Sequence, residues 1–262
     1  MVAPKGGYLI LDDTILQKYT RGLSIVFKLL DTKTNGFVLG INVVLLVWTD
    51  GTRVIPIGFR IYCTKGVGKI TLAQELLEQA KVLGFTPEYV LFDSWYASQS
   101  VLSCVKGFGW HFVTKLKNRS LNRKPLKRYR LTPNWSSLGW LKGKIGVAVY
   151  RRGKVFLTTS DLEIDCNMVK KLYSIRNMIE EVFRVLKQVC GWQGCQLRSE
   201  GGYWNHLSAG LIGFLFLHER SKTRKTSVYK LQRGHVFGSI PITEADVLEF
   251  LTPAYLESNN KP

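Results

Sequence analysis

Apolar residues in the first quarter of the chain come in short runs of the kind that form buried strands. Tyr8–Asp12 is the first such run, and Ser24–Leu30, Phe37–Trp48 and Val54–Tyr62 follow it. Asp, Asn, Gly and Thr residues separate the runs, which favours hairpin connections. Pro56 has no N–H to donate to a neighbouring strand, so its strand is predicted to lie at a sheet edge or to be kinked.

The apolar spacing then changes to the period of a helix. Ile70–Leu83 repeats apolar residues every three or four positions, and Gly84 is placed to end that helix. A strand at Tyr89–Phe92, a helix at Ala97–Lys106 and a strand at Trp110–Leu116 are predicted next. Hairpin strands followed by a β-α-β unit predict an α/β fold, a mixed sheet flanked by helices.

Helical periodicity returns in the C-terminal half. One helix is predicted over Asn167–Val189 and a second over Trp204–His218. Apolar residues thin out after Glu219, so Ser221–Gly238 is predicted to be a loose basic segment.

The net charge of the chain indicates what kind of partner it binds. Thirty-seven Lys and Arg against nineteen Asp and Glu leave a net charge of +18, which favours a polyanion such as nucleic acid. The apolar run Leu207–Leu217 is too short to span a membrane, and Met1–Gly7 lacks an apolar signal core. Five cysteines without a CxxC pair suit reduced thiols, so we expect a cytoplasmic, nucleoid-associated protein and no membrane partner.

One stretch is uniformly basic. From Ser94 to Ser160 the chain has no Asp or Glu and fourteen Lys and Arg. Two strands of a hairpin are predicted within it, around residues 151–154. Such a segment either neutralises phosphates or is merely a solubilising surface, and the total absence of acid favours the former.

Two predicted strands carry acidic residues where chemistry can use them. Asp12 and Asp13 end the first strand, and Asp93 directly follows Tyr89–Phe92. Successive strand residues face opposite sides, so only one of Asp12 and Asp13 faces a given site. Asp93 also suits the N-cap of the helix that follows it. Gly66–Lys69 resembles a piece of a phosphate-binding loop but lacks the Walker spacing, so no role is assigned to it.

A charged stripe runs along the helix predicted at Asn167–Val189. Spacings of three and four residues place its members on one face of a helix. They are Tyr173, Arg176, Glu180, Arg184 and Lys187. By periodicity alone, such a stripe is typical of a solvated face with ion pairs.

The spacing Tyr173-x2-Arg176-x3-Glu180-x6-Lys187 resembles the Y-R-E-K signature of bacterial insertion-sequence transposases. These are DDE enzymes with a ribonuclease H-like fold. The resemblance covers roughly residues 8–220, and it implies a ribonuclease H-like mixed sheet with a basic β-rich insertion.

Two further segments match the family in the right order. The family's first catalytic aspartate commonly precedes a threonine, as Asp13 precedes Thr14, and its second follows a short buried strand, as Asp93 does. The resemblance thus implies Asp13, Asp93 and Glu180 as catalytic, metal-binding residues, with Asp12 left as the alternative to Asp13. Mg²⁺ is the implied cofactor and Mn²⁺ its substitute, because two such ions can activate the attacking oxygen and neutralise the leaving one.

The same resemblance implies DNA contacts. An aromatic residue of the insertion can stack on a flipped base at a transposon end, and Trp135 and Trp140 are the candidates, unless they fill the insertion's core. The residues assigned to DNA are Tyr173, Arg176, Arg184, Lys187, Lys115, Lys117, Arg119 and Trp140. The implied partners are transposon ends and target DNA, with a homodimer in a synaptic complex as a candidate assembly.

Patterns and resemblance together divide the chain into four segments. Residues 1–116 are assigned to the first part of the catalytic core and 117–160 to the basic β-strand insertion. Residues 161–220 are assigned to the C-terminal helical part of the core, and 221–262 to a basic, loose arm.

One family feature is not met, because the first catalytic strand begins near Tyr8 and leaves no room for the usual N-terminal DNA-binding region. Three functions therefore stay in view. The first is an active DDE transposase core that cuts and joins DNA strands. The second is a non-catalytic DNA-binding remnant that inhibits or partners a full-length transposase. The third is a structure-selective nuclease of the same fold, against which the Y-R-E-K stripe argues.

Overall fold

A computed structural model describes residues 3–19, 22–31, 35–63, 66–117, 119–129, 136–243 and 246, without the side chains of residues 127 and 152. The described strands are β1 (Tyr8–Gln17), β2 (Phe27–Asp31), β3 (Gly36–Thr49), β4 (Val54–Tyr62), β5 (Tyr89–Phe92), β6 (His111–Leu116), β7 (Ser120–Leu121), β8 (Lys124–Pro125), β9 (Ser136–Leu141), β10 (Ile145–Arg152) and β11 (Val155–Thr159). The described helices are α1 (Lys69–Val82), α2 (Gln99–Gly107), α3 (Cys166–Ile175), α4 (Met178–Gln188), α5 (Glu200–Thr223) and α6 (Val228–Val236), with a 3₁₀ turn at Leu126–Arg128.

One mixed sheet holds most of the strands, in the order β2-β3-β1-β5-β6-β11-β10-β9, with β4 also paired to β3. β5 runs parallel to both β1 and β6, whereas the other pairs in this sheet are antiparallel. Helices α1 and α2 pack on this sheet, as does α3. The predicted α/β class, a mixed sheet flanked by helices, is confirmed.

The edge strand β4 follows the prediction made from Pro56. It pairs only with β3 among the described strands, and the register shifts between Leu46 and Val47, opposite Pro56. A bulge at this position accommodates a residue that cannot donate a ladder hydrogen bond.

The basic segment contributes its strands to the same sheet. The hairpin predicted around residues 151–154 is present as β10 and β11. β11 pairs with β6, so β9, β10 and β11 extend the sheet beyond its central strands. Burial alternates along β9, as expected for a strand with one face against the protein, whereas consecutive residues of β10 and β11 are buried.

The first strand is longer than its apolar run. β1 continues to Gln17 because β3 pairs with it over its whole length, from Tyr8 to Gln17. Asp12 and Asp13 therefore lie inside the strand, and the prediction that both end it was wrong. Pairing with a buried neighbour supplies the backbone hydrogen bonds that hold polar residues in a strand.

The helix predicted over Asn167–Val189 is divided in two. α3 ends at Ile175 and α4 begins at Met178, with a tighter turn between them, where the N–H of Ile179 donates to the Arg176 carbonyl. Bonds of this i to i−3 kind interrupt the regular α-helical ladder. The stripe of charged residues therefore spans two helices rather than one face of a single helix.

Two compact units make up the chain, residues 4–181 and residues 182–262 with 1–3. The second unit contains α5, and Trp192 packs on it at Gly210, where a Cβ would lie 2.5 Å from Trp192 Nε1. The indole N–H donates to the Leu207 carbonyl at 3.0 Å. The segment predicted to be loose after residue 220 instead completes α5 and forms α6, with Leu231 fully buried.

Candidate active site

The register of the central strands brings two aspartates side by side. β1 and β5 are parallel, and their pairing runs through Leu11 opposite Phe92. The next residues are Asp12, inside β1, and Asp93, which directly follows β5, and the charge of Asp93 acts on Asp12. Asp13, one residue further along β1, faces the opposite side of the sheet.

Asp12 lies on the side of the sheet covered by α3. Its Oδ2 accepts a hydrogen bond from Nη2 of Arg176 at 2.6 Å, and its Oδ1 accepts the N–H of Asp13 at 2.9 Å. Burial raises the pKa of Asp12 to about 7, with further increases from the negative charges of Asp13 and Asp93, although Arg176 opposes the shift. A second negative charge close by makes this carboxylate costly to ionise.

Asp13 is enclosed by donors on the other side. Its Oδ2 accepts hydrogen bonds from Asn42 Nδ2 at 2.6 Å and from Lys69 Nζ at 3.1 Å. Its Oδ1 accepts the hydroxyl of Tyr96 at 2.7 Å. Lys69 opens α1, so consecutive residues of β1 contact helices on opposite faces of the sheet.

Asp93 turns the chain after β5. Its Oδ1 accepts the backbone N–H of Trp95 at 2.8 Å and of Tyr96 at 3.4 Å. Its carbonyl accepts the hydroxyl of Thr114 at 3.1 Å. The alternative in which Asp93 caps the next helix was wrong, because Ser98 is the N-cap of α2.

The first half of the charged stripe is largely buried. Tyr173 is 8% exposed, and its hydroxyl has no hydrogen-bond partner among the described residues. Lys115 Nζ lies 4.8 Å from the centre of the Tyr173 ring. Burial raises the pKa of Tyr173 to about 12, with contributions from the charges of Asp93, Asp12 and Glu180. The reading of the stripe as a wholly solvated face was therefore wrong.

Glu180 lies at the exposed edge of the cluster formed by Asp12, Tyr173 and Arg176. Its Oε1 lies 3.8 Å from Nη1 of Arg176, and its side chain is 64% exposed. Arg176 contacts both Asp12 and Glu180, so a single guanidinium joins the acid of β1 to the acid of α4. Arg184 and Lys187 lie further along α4, in the second compact unit.

A basic cavity lies elsewhere in the first unit. Its volume is about 960 Å³, and it is bounded by Arg119, Arg123, Lys142 and Lys144. Trp140 lines it with 61% of its surface exposed, so this side chain does not fill a core. Trp135 lies outside the described residues, and Lys117 is exposed on the chain that leaves β6.

The acidic group suits a divalent cation by its chemistry. Carboxylate oxygens are the ligands that Mg²⁺ prefers. Burial is the main cause of the raised pKa of Asp12, and a cation would offset the negative charges of Asp13 and Asp93 that add to it. Among the described residues, no three His, Cys, Asp or Glu side chains are close enough together to hold a metal ion as they stand. Asp12, Asp93 and Glu180 are the donors that such an ion would draw together.

The fold and this arrangement define a class, the ribonuclease H-like α/β domain with acidic residues on its central strands. The chain matches the family model of the transposase DDE domain over residues 5–212. It therefore belongs to the transposase DDE domain family, whose members generally use divalent metal ions. No curated protein matches it.

One solved structure agrees on the fold. A piggyBac transposase, in a synaptic complex with hairpin DNA, has a TM-score of 0.59 and 16% identity over 98% of this chain and 57% of that one. This chain thus spans just over half of the piggyBac chain. The NurA nuclease of Sulfolobus solfataricus has 12% identity over 90% of this chain and 86% of that one, and its TM-score of 0.32 supports no argument. No helix in the described part of the chain is long and apolar enough to cross a membrane.

Sequence reasoning missed the residues that surround Asp13. Asn42 was visible as a polar residue inside the apolar run of β3, which is unusual for a buried strand. Lys69 was set aside with the loop fragment that contains it. Tyr96 gave no signal, because its contact with Asp13 joins positions 83 residues apart.

Proposed function

We propose that this chain is the catalytic core of a bacterial insertion-sequence transposase of the Y-R-E-K type, which cleaves DNA strands and transfers them at the element's ends. One observation carries the proposal. Asp12 lies in β1 beside the end of the parallel strand β5, where Asp93 directly follows, and Arg176 joins Asp12 to Glu180.

Asp12 is the better first metal-binding residue of the aspartate pair. Sequence resemblance favoured Asp13, but three donors already surround that carboxylate. The charge of Asp93 acts on Asp12, which is joined through Arg176 to Glu180. The proposed metal-binding residues are therefore Asp12, Asp93 and Glu180.

Bound Mg²⁺ or Mn²⁺ would activate the attacking oxygen and offset charge on the leaving oxygen. The protein's own part is to hold the phosphate in line. Arg176 can form a bidentate contact with a phosphate once Asp12 has another cation partner. The hydroxyl of Tyr173 is buried and has no partner among the described residues, so it can donate to a phosphate oxygen once the side chains that cover it move aside.

The basic cavity supplies a place for the DNA flanking the cleaved bond. Arg119, Arg123, Lys142 and Lys144 can neutralise phosphates, and Trp140 offers an exposed ring on which a base can stack. Lys115 and Lys117 extend this positive charge along β6. We propose that these residues, together with Arg184 and Lys187, contact the DNA, both the transposon ends and the target.

Strand cleavage tests the proposal. Purified protein is incubated with duplex DNA that carries the inverted repeats flanking its gene, with Mg²⁺, with Mn²⁺ or with a chelator. Divalent-metal-dependent nicks at the repeat ends are expected, and Asp12→Ala, Asp93→Ala and Glu180→Ala should each abolish them without unfolding the protein. Glu163→Ala removes an exposed carboxylate two residues from Asp161, which binds Tyr89 at the start of β5, and this variant should cut normally.

One feature keeps a second function in view. Arg176 occupies the Asp12 carboxylate, and no three-residue metal cluster is assembled among the described residues. A non-catalytic DNA-binding protein that inhibits or joins a full-length transposase would look the same. A gel shift of the repeat DNA without any cleavage in Mg²⁺ or Mn²⁺ would support this function and contradict the first.

A synaptic complex requires two copies of the catalytic chain on paired ends. We therefore propose a homodimer on DNA, checked by the mass of the protein–DNA complex in light scattering. Cleavage of RNA–DNA hybrid or branched DNA in preference to repeat ends would instead indicate a structure-selective nuclease.

A further inference from the structure

We infer that Asp13 is a positioning residue that fixes the loop carrying Asp93, through the side chain of Tyr96. The inference rests on the proposed function for its metal-binding part only. Asp13 lies on the face of β1 opposite Asp12, so it acts on the site through a neighbour rather than from within it.

Tyr96 links the two strands through different parts of one residue. Its hydroxyl donates to Asp13 Oδ1 at 2.7 Å, which ties it to β1. Its backbone N–H lies 3.4 Å from Asp93 Oδ1, and the N–H of Trp95 lies 2.8 Å from the same oxygen. The turn that orients the Asp93 carboxylate is therefore anchored to the strand that carries Asp12.

Because the Tyr96 side chain is buried, its hydroxyl depends on the contact with Asp13. Tyr96 is fully buried, so its hydroxyl needs a partner inside the protein, and Asp13 supplies one. Burial and the nearby carboxylate raise the pKa of Tyr96 well above its ordinary value, which keeps the phenol protonated as a donor. A hydrogen bond to a charged acceptor is about twice as strong as one between neutral groups.

Lys69 and Asn42 hold the other oxygen of Asp13. Lys69 Nζ balances the carboxylate at 3.1 Å and also lies 4.2 Å from the centre of the Trp95 ring. Trp95 is the residue whose N–H holds Asp93, so the ammonium constrains the same turn from its other side. Asn42 Nδ2 fixes the carboxylate from β3 at 2.6 Å. Together with the Tyr96 hydroxyl, these donors occupy both oxygens of Asp13.

The first test needs neither metal nor DNA. Tyr96→Phe deletes one hydroxyl and keeps the ring, and Tyr89→Phe is its matched control, because Tyr89 donates an equally short bond to Asp161 at 2.6 Å. We expect Tyr96→Phe to speed amide hydrogen exchange in residues 93–98, and Tyr89→Phe to leave that segment unchanged. Equal exchange in wild type, Tyr96→Phe and Tyr89→Phe would overturn the inference.

The second test measures Mn²⁺ affinity by electron paramagnetic resonance. Groups that orient metal ligands typically affect affinity by about 10- to 100-fold, so Tyr96→Phe and Asp13→Asn should each weaken Mn²⁺ binding by about 10-fold. Asp12→Asn and Asp93→Asn should lose binding. In strand cleavage, Tyr96→Phe should lower kcat by a similar factor while KM for DNA stays within about twofold.

The outcomes separate the two proposals. If Asp13→Asn loses Mn²⁺ as completely as Asp12→Asn does, Asp13 is itself a ligand and the inference fails. If wild type binds no Mn²⁺ and cuts no DNA, the proposed function fails, while hydrogen exchange still decides whether Asp13 positions the Asp93 turn.

Discussion

Asp12 combines a buried carboxylate with a buried guanidinium. Its side chain is 15% exposed and that of Arg176 is 12% exposed, and they meet at 2.6 Å. The arginine offsets part of the cost of burial, yet burial and the charges of Asp13 and Asp93 still leave the pKa of Asp12 raised. The cation proposed for this site would offset that cost, because the neighbouring carboxylates attract it.

The raised pKa of Asp12 makes stability depend on pH. The folded value is about 7 against an ordinary 3.8, so the folded state holds the proton more tightly than the unfolded state does. The stabilisation is complete at low pH and is lost as pH rises from about 4 through about 7. Denaturant titrations should therefore show the free energy of unfolding of wild type falling across this range relative to Asp12→Asn.

Asp161 provides the opposite sign as a control. Partial burial acts to raise the pKa of Asp161, but hydrogen bonds from the Tyr89 hydroxyl and the Glu163 N–H outweigh it and lower the pKa. Relative to Asp161→Asn, wild type should become less stable as pH falls through the lowered pKa. If the free energy of unfolding changes with pH in the same way for wild type and Asp12→Asn, the pKa of Asp12 is not raised and the prediction is wrong.

At the scale of elements, the contact between α5 and Trp192 depends on the absence of a side chain at Gly210. The Trp192 ring lies where a Cβ at Gly210 would come within 2.5 Å of it, and the Cys190 carbonyl lies 3.2 Å away. Trp192 is fully buried, so neither the ring nor the backbone has room to withdraw.

Gly210→Ala should destabilise the protein by about 1–3 kcal/mol, because the added methyl group overpacks the Trp192 contact. Gly213→Ala is the matched control on the same helix, since nothing lies within 4 Å of its added Cβ. That variant should stabilise the protein by roughly 0.5–1 kcal/mol through the better helix propensity of alanine. Urea denaturation measures both, and equal effects would contradict the role given to Gly210.

At the scale of the whole molecule, charge is unevenly distributed along the chain. The stretch from Ser94 to Ser160 has no acid, and its positive charge is concentrated on the segment from β6 to the 3₁₀ turn, on the turn between β9 and β10, and on the end of β10. Four of these basic residues border one cavity, together with an exposed tryptophan. This arrangement favours a phosphate backbone over a general solubilising surface.

DNA affinity should depend steeply on salt, because each neutralised phosphate releases counterions. Arg123→Gln should reduce the slope of log affinity against log salt by about 1, since one phosphate contact is lost. Lys28→Gln removes a positive charge from β2, at the opposite edge of the sheet from β9, and should leave the slope unchanged. Fluorescence anisotropy over a salt series measures both, and equal slopes for Arg123→Gln and wild type would exclude the cavity from the DNA interface.

Much of the fold could be predicted from local patterns. Val54–Tyr62 and Tyr89–Phe92 have the bounds expected for them, and Gly84 ends α1 with a φ of +85° as a C-cap glycine does. The residues after Glu219 were misjudged, because α6 buries only a few residues such as Leu231 and so shows little periodicity.

The sequence by itself determined which residue types could bind metal and DNA, because three acids and a basic stretch are visible without any knowledge of contacts. Only the tertiary structure decided which aspartate faces which helix. That choice depends on the register of β1 against β5 and on whether Arg176 or Lys69 covers a given face. Register joins residues about 80 positions apart, and the local alternation of apolar and polar residues carries no information about it.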